Sequence, residues 1–285
     1  MMALRDALGR LGTRVVVNRM SSSVDVHLCN SAWFNVDLFE RAAASGEKVR
    51  MIHRVDGPVA LYRGTDWAED EKIQALNSRF ASATVFQSSW CFQKMCEHGL
   101  EFVRPVIIRN SVDPSVFFPS ARISRPASQK LRLMSSAWSD NPNKGGPFYK
   151  WLDEHLDWDR FEYTFVGRIH HTFKHIKHLP PQDSNRLADL LRQNDVYITA
   201  SQNDPCSNAL LEALACGLPA LYYDQGGHGE LAQFGGLPFK ENEEALLQLD
   251  RLAGNVEMFR QCIHVQSIDE IARKYIELFK TVLDS

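Results

Sequence analysis

Short apolar runs alternate with amphipathic segments along most of the chain. In its first part, the runs typical of strands are TRVVVN (13–18), VDVHLC (24–29), KVRMIH (48–53), SATVFQS (82–88) and VRPVIIRN (103–110). Between these runs, VDLFERAAAS (36–45) and SSWCFQKMCEHGL (88–100) have helical periodicity. Ser88 or Ser89 can cap the second helix. Strands that alternate with helices predict βαβ units and a parallel sheet with helices on both faces.

The same alternation resumes after residue 130 and ends in a long amphipathic segment. The predicted strands are LRLMSSAW (131–138), FEYTFVG (161–167), DVYITAS (195–201) and LPALYYD (218–224), with helices FYKWLDEHL, SNRLADLLRQ and SNALLEALACG between them. In the last 20 residues one stripe holds Ile268, Ile271, Ala272, Tyr275, Ile276 and Phe279.

A stretch of different character separates the two parts. DPSVFFPSARISRPASQK has three prolines and no helical period, which is typical of a linker. We therefore predict an N-terminal Rossmann-like domain (1–112), a linker (113–129), a C-terminal Rossmann-like domain (130–265) and a final helix (266–285) that crosses back to the first domain.

Composition narrows the class of protein. The 285 residues are 44% hydrophobic and carry a net charge of −3, which fits a globular protein and offers no electrostatic reason to expect nucleic acid as a partner. No apolar run reaches the ~18 residues of a membrane span. The six cysteines show no metal-ligand spacing, which favours reduced thiols in the cytoplasm.

Three strand ends in the second domain carry candidate chemistry, because ligands of such sheets bind beyond the carboxyl ends of the strands. In SSAWSDNPNKGG, Lys144 followed by two glycines suits an anion, although the loop does not match a P-loop. The loop VGRIHHTFKHIKHLPP places His171 and His175 at i, i+4, but no carboxylate completes a zinc set, so we favour a solvated basic loop.

The third strand end, DPCSNALLEALACGLPALYYDQGG, begins with an acidic loop before a small-residue helix. Asp204 precedes the helix start and Glu212 lies about two turns inside it, on either side of backbone N–H groups that can bind phosphate or sugar oxygens. Each carboxylate can accept hydrogen bonds from hydroxyls. The alternative is a carboxylate favoured by the helix dipole and a surface glutamate.

This segment resembles the signature of retaining GT-B glycosyltransferases of the family-4 type. The shared features are an acidic residue followed by seven residues and Glu, then Gly-Leu-Pro, a strand and Gly-Gly-x-x-Glu, here Asp204, Glu212, Gly217-Leu218-Pro219, Gly226-Gly227 and Glu230. VIIRNSVDPSVFFP and LADLLRQNDVYITAS are similar to further segments of that family. The resemblance implies a GT-B-like α/β fold, with two Rossmann-type domains whose parallel sheets face a central cleft.

The resemblance also implies roles for particular residues. Glu212 would accept hydrogen bonds from the nucleotide ribose, Asp204 would face the donor sugar, and Lys144 would neutralise the diphosphate without a metal. Backbone N–H groups would hold the sugar and diphosphate around Ser207, Asn208, Ala209 and Leu210. In MIHRVDGP, Asp56 aligns with a histidine of the family that touches the donor sugar, and His53 is its rival.

Three features depart from the family pattern. The residue at 204 is Asp where the family usually has Glu, and the loop AWSDNPNKG lacks the arginine that normally pairs with the lysine on the diphosphate. Ser139 and backbone N–H groups would take that arginine's place. The chain begins in an apparent helix, MALRDALGRLG, without the usual first strand and glycine-rich loop, so we expect a naturally small N-terminal domain or a truncated product.

The resulting prediction is a cytoplasmic, metal-independent hexosyltransferase that retains anomeric configuration. Its donor would be a UDP- or GDP-linked sugar, its acceptor a glycan, a lipid or a small molecule, and the family also allows peripheral contact with a membrane. The alternatives are a non-catalytic or degenerate nucleotide-sugar-binding protein and a nucleotide-sugar epimerase of GT-B fold.

Overall fold

A computed structural model describes residues 2–18, 23–47, 49–120 and 129–285. The chain divides into two compact units, Met1–Asn110 with Gln266–Ser285, and Ser111–Val265. Each unit has its own parallel sheet and core, which confirms the predicted α/β class with two parallel sheets. Residues 121–128 of the predicted linker, and Lys48 of the predicted strand KVRMIH, lie outside the described residues.

The first unit is built on four parallel strands in the order β1-β2-β3-β4. Its elements up to residue 110 are α1 (Met2–Arg10), β1 (His27–Asn30), α2 (Val36–Ala44), β2 (Met51–Val55), α3 (Val59–Arg63), α4 (Ala68–Phe80), β3 (Ala81–Phe86), α5 (Ser89–Glu97) and β4 (Pro105–Ile107). All five residues of β2 are buried, because neighbouring strands flank it and helices cover both faces of the sheet. Ser88 caps α5 as predicted, since its Oγ accepts from the Cys91 N–H at 3.1 Å.

The prediction of a strand at TRVVVN (13–18) was wrong. These residues follow α1 as irregular backbone, and Val15, Val16 and Val17 are 37%, 39% and 61% exposed. A run of β-branched residues favours extended backbone, but a strand also needs a partner ladder, and in the described sheet β1 pairs only with β2. The helices α3 and α4 were not predicted from the sequence.

The second unit has six parallel strands in the order β10-β9-β8-β5-β6-β7. Its elements are β5 (Leu131–Ala137), α6 (Gly146–His155), β6 (Phe161–Gly167), β7 (Lys177–Leu179), α7 (Ser184–Arg192), β8 (Val196–Thr199), α8 (Asn208–Ala215), β9 (Ala220–Tyr223), α9 (His228–Ala232), β10 (Gly236–Phe239), α10 (Asn242–Gly254) and α11 (Val256–Gln261). Both edge strands, β7 and β10, were missed by the sequence analysis, because each has only three or four residues and no alternating apolar pattern.

The final helix, α12 (Ile268–Leu283), belongs to the first unit. A capping box starts it, in which Ser267 Oγ accepts from the Glu270 N–H and the Glu270 carboxylate accepts from the Ser267 N–H. The predicted apolar stripe is confirmed: Ile271 and Tyr275 pack in one cluster with Leu4 and Leu8 of α1 and with Ile52 of β2. No helix in the described residues is both long enough and apolar enough to cross a bilayer.

Candidate functional site

Strand order in the second unit brings three loops of the chain together. β5 lies between β8 and β6, and all three strands are parallel, so the loops that leave them emerge at the same edge of the sheet. Lys144 follows β5, Asp204 follows β8, and Arg168 follows β6 directly. This edge is where open parallel sheets bind their ligands.

Lys144 and Asp204 form an ion pair at this edge. Lys144 Nζ lies 2.9 Å from Asp204 Oδ2 and 3.2 Å from Ser201 Oγ, and Asp204 Oδ1 accepts from the Cys206 N–H at 3.2 Å. The Asp204 side chain is only 13% exposed, against 35% for Lys144. Burial favours a raised pKa for Asp204, but the charge of Lys144 and the hydrogen bonds from Lys144 and the Cys206 N–H favour the ionised form, and the net pKa is lowered. Asp204 is therefore an ionised, largely buried carboxylate.

Gly145 lets the Lys144 loop lie against the end of β8. Its φ is +82°, in the left-handed region, and a Cβ at this position would stand 2.6 Å from the Ala200 carbonyl oxygen. The adjacent Gln202 N–H donates to the Asn143 carbonyl at 2.6 Å. The glycine thus allows the close approach that brings Lys144 to Asp204.

The start of α8 follows the same acidic loop. Ser207 is its N-cap, with Oγ accepting from the Leu210 N–H at 3.3 Å, so the Leu210 N–H already has a partner within the helix start. Asn208 is exposed and Ala209 partly buried. Glu212 lies one turn further along, partly buried, and burial raises its pKa to about 7. A group with that pKa changes its charge near neutral pH.

A turn at Gly226 and Gly227 packs against the backbone of Asp204. Gly226 has a φ of +71°, and a Cβ there would stand 2.3 Å from the Asp204 carbonyl oxygen. The next N–H, that of Gly227, donates to this oxygen at 2.9 Å. His228 follows at the start of α9, is fully buried, and has its Nδ1 3.1 Å from the Tyr223 carbonyl oxygen.

A cavity of about 240 Å³ opens beside the Lys144 loop. Its lining includes Ser139, Lys144, Arg168, His170 and His171. Ser139 Oγ accepts from the Asn141 N–H at 3.2 Å, and Arg168 donates from Nη1 to the Trp138 carbonyl at 3.2 Å. The cavity therefore has cationic side chains from two neighbouring strand ends, which suits an anionic ligand.

The histidines of the loop after β6 have separate partners. His170 lies 3.3 Å from Asp140, His175 stacks on Trp158 and His178 Nε2 lies 2.9 Å from the Gly167 carbonyl, while His171 lines the cavity. Within the described ranges no three His, Cys, Asp or Glu side chains are grouped as metal ligands.

The two candidates of the first unit have different environments. His53 is fully buried, with Nε2 2.7 Å from the Ser31 carbonyl oxygen and Nδ1 3.1 Å from Asn77 Nδ2. Asp56, at the end of β2, is 34% exposed, accepts from Gln87 Nε2 at 3.1 Å and lies 3.8 Å from Arg54. Both nitrogens of His53 are thus held within the core, whereas the Asp56 side chain is partly exposed.

Known proteins share this architecture. Residues 166–257 match the model of the family described as "Glycosyl transferases group 1", and no curated protein sequence matches the chain. Sucrose-phosphate synthase from Thermosynechococcus elongatus superposes with a TM-score of 0.70 at 13% identity, covering 91% of this chain and 74% of its own. The fold is that of the GT-B glycosyltransferases.

Two further structures extend the comparison. A glycosyltransferase from Rickettsia africae has a TM-score of 0.67 at 14% identity, with 98% of this chain and 81% of its own covered. HepE from Anabaena, solved in complex with UDP and glucose, has a TM-score of 0.67 at 13% identity, with 97% and 80% covered. The segment that matches the family model contains Asp204, Glu212 and Arg168, but not Lys144.

The sequence analysis did not single out Arg168 or His228. Arg168 follows VG at a strand end, but the neighbouring histidines dominated the interpretation of that loop. His228 occupies a variable position of the Gly-Gly-x-x-Glu pattern. An arginine directly after a predicted strand was an available signal, whereas the burial of His228 beside Asp204 depends on the folded turn.

Proposed function

We propose that this protein is a glycosyltransferase that moves a sugar from a nucleoside diphosphate sugar to an acceptor, with retention of anomeric configuration and without a metal. The observation that carries the proposal is the Lys144–Asp204 pair at 2.9 Å, beside the start of α8 and one strand away from Arg168. In this proposal Lys144 is the cation for the diphosphate, and Asp204 beside it is the ionised acceptor for hydroxyl groups. The family match of residues 166–257 supports the same activity.

In the proposed chemistry, the cationic groups of the site bind the diphosphate and the carboxylates bind the hydroxyl groups of the donor. Lys144 and Arg168 stabilise the negative charge that grows on the leaving diphosphate as the glycosidic bond breaks. The partial positive charge at the start of α8 adds to this stabilisation. Asp204 accepts hydrogen bonds from donor-sugar hydroxyls and Glu212 from the ribose, which fixes the orientation of the donor. Arg168 then fills the role that the arginine of the loop before Lys144 has in the family.

The resemblance to retaining GT-B enzymes implies the transfer step. The bond between the anomeric carbon and the diphosphate oxygen breaks, and the acceptor hydroxyl attacks the same face of the sugar. Its proton goes to the leaving diphosphate, so no protein side chain is needed as a general base. Of the two candidates in the first unit, we favour Asp56 over His53 for contact with the donor sugar, because Asp56 is partly exposed.

Nucleotide binding tests the proposal first. UDP, GDP and ADP are added separately to the wild type and to Glu212→Ala, and the melting temperature is measured. We expect UDP or GDP to raise it in the wild type and much less in the variant, while Glu162→Ala, an exposed residue of β6, behaves as wild type. No stabilisation of the wild type by any of the three would contradict the donor site.

Catalysis is tested by NMR. The donors are nucleotide sugars that carry the base of the nucleotide that stabilises the wild type. We expect slow hydrolysis in which the first anomer released has the configuration of the donor. A second candidate, a non-catalytic nucleotide-sugar-binding protein, is favoured by the absence of the family arginine from the loop before Lys144. It predicts nucleotide binding with no hydrolysis or transfer, whereas an epimerase would change the sugar of the donor without an acceptor.

A further inference from the structure

His228 is a buried histidine with one ring nitrogen occupied. Its Nδ1 lies 3.1 Å from the Tyr223 carbonyl oxygen, and because a carbonyl can only accept, Nδ1 carries the hydrogen. Nε2 is buried and has no hydrogen-bond partner among the described residues. In the neutral ring Nε2 is therefore an acceptor without a donor inside the protein, an arrangement that costs free energy and calls for an explanation.

The charges around His228 belong to the candidate site. The turn Gly226–Gly227 joins it to the loop of Asp204, and Asp204 and Lys144 act on its charge with opposite signs. Tyr222 of β9 meets the ring edge-on at 6.3 Å between ring centres. Helix α8 also packs against α9 and has Glu212 as its one titratable side chain, whose pKa is raised by burial alone. Asp204 and Lys144 are therefore the groups to which His228 responds.

In the unliganded protein His228 is held neutral. Burial lowers its pKa from the usual value of 6.5, and Lys144 adds to this, while Asp204 and the Tyr223 carbonyl oppose it without reversing it. The negative charge of Asp204 is already compensated by Lys144 at 2.9 Å. A second cation beside the same carboxylate is not needed in this state.

We propose that His228 is a positioning residue that takes up a proton at Nε2 when a nucleoside diphosphate binds, and so keeps Asp204 ionised. The inference rests on the proposed function, in which Lys144 turns its charge to the diphosphate. Asp204 would then be a largely buried carboxylate with its main counter-ion withdrawn, which is unfavourable. Nε2 of His228 is a buried basic atom without a hydrogen-bond partner among the described residues, and a positive charge on this ring interacts favourably with Asp204.

The proton balance is simple. One proton leaves the buffer and binds to Nε2, and the resulting imidazolium still donates to the Tyr223 carbonyl oxygen through Nδ1. The phosphates add negative charge nearby, which also favours the imidazolium. Proton uptake makes nucleotide binding stronger as pH falls through the pKa of His228 in the complex, and this gain levels off below its pKa in the free protein.

Glu212 would change the number of protons bound on nucleotide binding in the opposite direction to His228. Its raised pKa means that it is partly protonated near pH 7, and hydrogen bonds from a ribose would favour its ionised form, so binding would release a proton there. The contribution of His228 is therefore measured as a difference between variants that retain Glu212. Glutamine at 228 can donate to the Tyr223 carbonyl but cannot titrate.

The experiment is calorimetry of UDP binding at pH 7.0 in buffers of different ionisation enthalpy, with GDP instead if the nucleotide panel selects it. The slope against buffer enthalpy gives the protons taken up. We expect it to be higher in the wild type than in His228→Gln by roughly 0.3–0.9 proton per nucleotide. His155→Gln is the matched control, because His155 Nδ1 lies 2.8 Å from the Trp151 carbonyl in an exposed position, and its slope should equal the wild-type slope.

Equal slopes in the wild type and His228→Gln, with both proteins folded, would overturn the inference and leave His228 a structural residue. If His228→Gln does not fold, His228→Asn and the wild type labelled with ¹⁵N-histidine give the answer. On saturation with nucleotide, the His228 signals should change from those of the neutral ring to those of the imidazolium; unchanged signals contradict the proposal. Failure of every nucleoside diphosphate to bind is a different result, because it removes the proposed function itself.

Discussion

Lys144 Nζ and Asp204 Oδ2 lie 2.9 Å apart although 60 positions separate them in the chain. The two partners are not equivalent, since Asp204 is largely buried and Lys144 is a third exposed. Removing the cation leaves a buried charge without compensation, whereas removing the carboxylate leaves a lysine that can turn to water. The pair should respond asymmetrically to substitution.

We expect Lys144→Met to lower the free energy of unfolding by ~1–2 kcal/mol and to weaken nucleotide binding by about tenfold or more. Asp204→Asn should cost less stability, and Lys144→Met with Asp204→Asn should recover most of the loss without restoring binding. Urea unfolding and calorimetry measure the two effects. A double variant as unstable as Lys144→Met would show that the ion pair is not the cause.

Glu212→Gln should stabilise the unliganded protein at alkaline pH. The carboxyl has a pKa of about 7 in the folded state against 4.5 for an ordinary glutamate, so the folded protein binds more protons between these values and wild-type stability falls as pH rises through them. The variant lacks this loss. We expect it to be more stable than the wild type by about 1–3 kcal/mol at pH 8, and equally stable below about pH 4.5.

Urea unfolding from pH 4 to 8 checks the prediction, with Glu162→Gln, an exposed glutamate of β6, as control. A stability difference that does not change with pH would contradict the assigned cause. The same Glu212→Gln variant should bind nucleotide more weakly, because an amide is a poorer acceptor for ribose hydroxyls than a carboxylate.

Arg168→Ala should weaken nucleotide binding by roughly tenfold while leaving stability within about 0.5 kcal/mol, because the side chain is exposed. Arg168→Lys should recover part of the affinity, since it restores the charge but not the planar fork. Calorimetry in low salt measures the effect. Arg251→Ala, an exposed arginine of α10, is the control, and an equal loss in that variant would refute a specific role.

Gly226→Ala should unfold more easily and bind nucleotide poorly. The added Cβ would stand 2.3 Å from the Asp204 carbonyl oxygen at a φ of +71°, so the turn or the acidic loop must move, at a cost of ~2–4 kcal/mol. Gly229→Ala is matched to it, because a Cβ there meets nothing nearer than Tyr222 Oη at 3.7 Å. Thermal unfolding of both should separate them clearly, and similar melting temperatures would be the contrary outcome.

Chelation of divalent metals should leave sugar transfer unchanged. The proposed stabilisation of the diphosphate charge comes from Lys144, Arg168 and the start of α8. In an assay with the identified donor, EDTA should therefore not alter the rate of sugar transfer. The same assay with added Mg²⁺ or Mn²⁺ is the control. A loss of activity in EDTA that Zn²⁺ restores would direct attention to the histidines of the loop after β6.

Local sequence was sufficient for much of the fold. Alternation of apolar strands with amphipathic helices indicated two parallel sheets, and the stripe of α12 and the cap at Ser88 were visible as patterns within a few residues. The wrong prediction of a strand at TRVVVN and the failure to predict the edge strands β7 and β10 have the same cause. Strand formation at an edge depends on a partner ladder, which lies far away in sequence.

For the site, the sequence by itself determined which groups stand at the helix start: Asp204, the Ser207 cap and Glu212 lie within nine residues of one another, and the periodicity of a helix fixes their spacing. Only the tertiary structure decided that Lys144, which was expected at this sheet edge, pairs with Asp204, and that Arg168 and His228 join the site. The order β8-β5-β6 makes strands that are distant in the chain into neighbours, and the turn at Gly226 buries His228 beside the acidic loop. Distances across a sheet follow from strand order, which no local pattern encodes, and the pKa of a carboxyl such as Glu212 follows from burial, which the packed core alone creates.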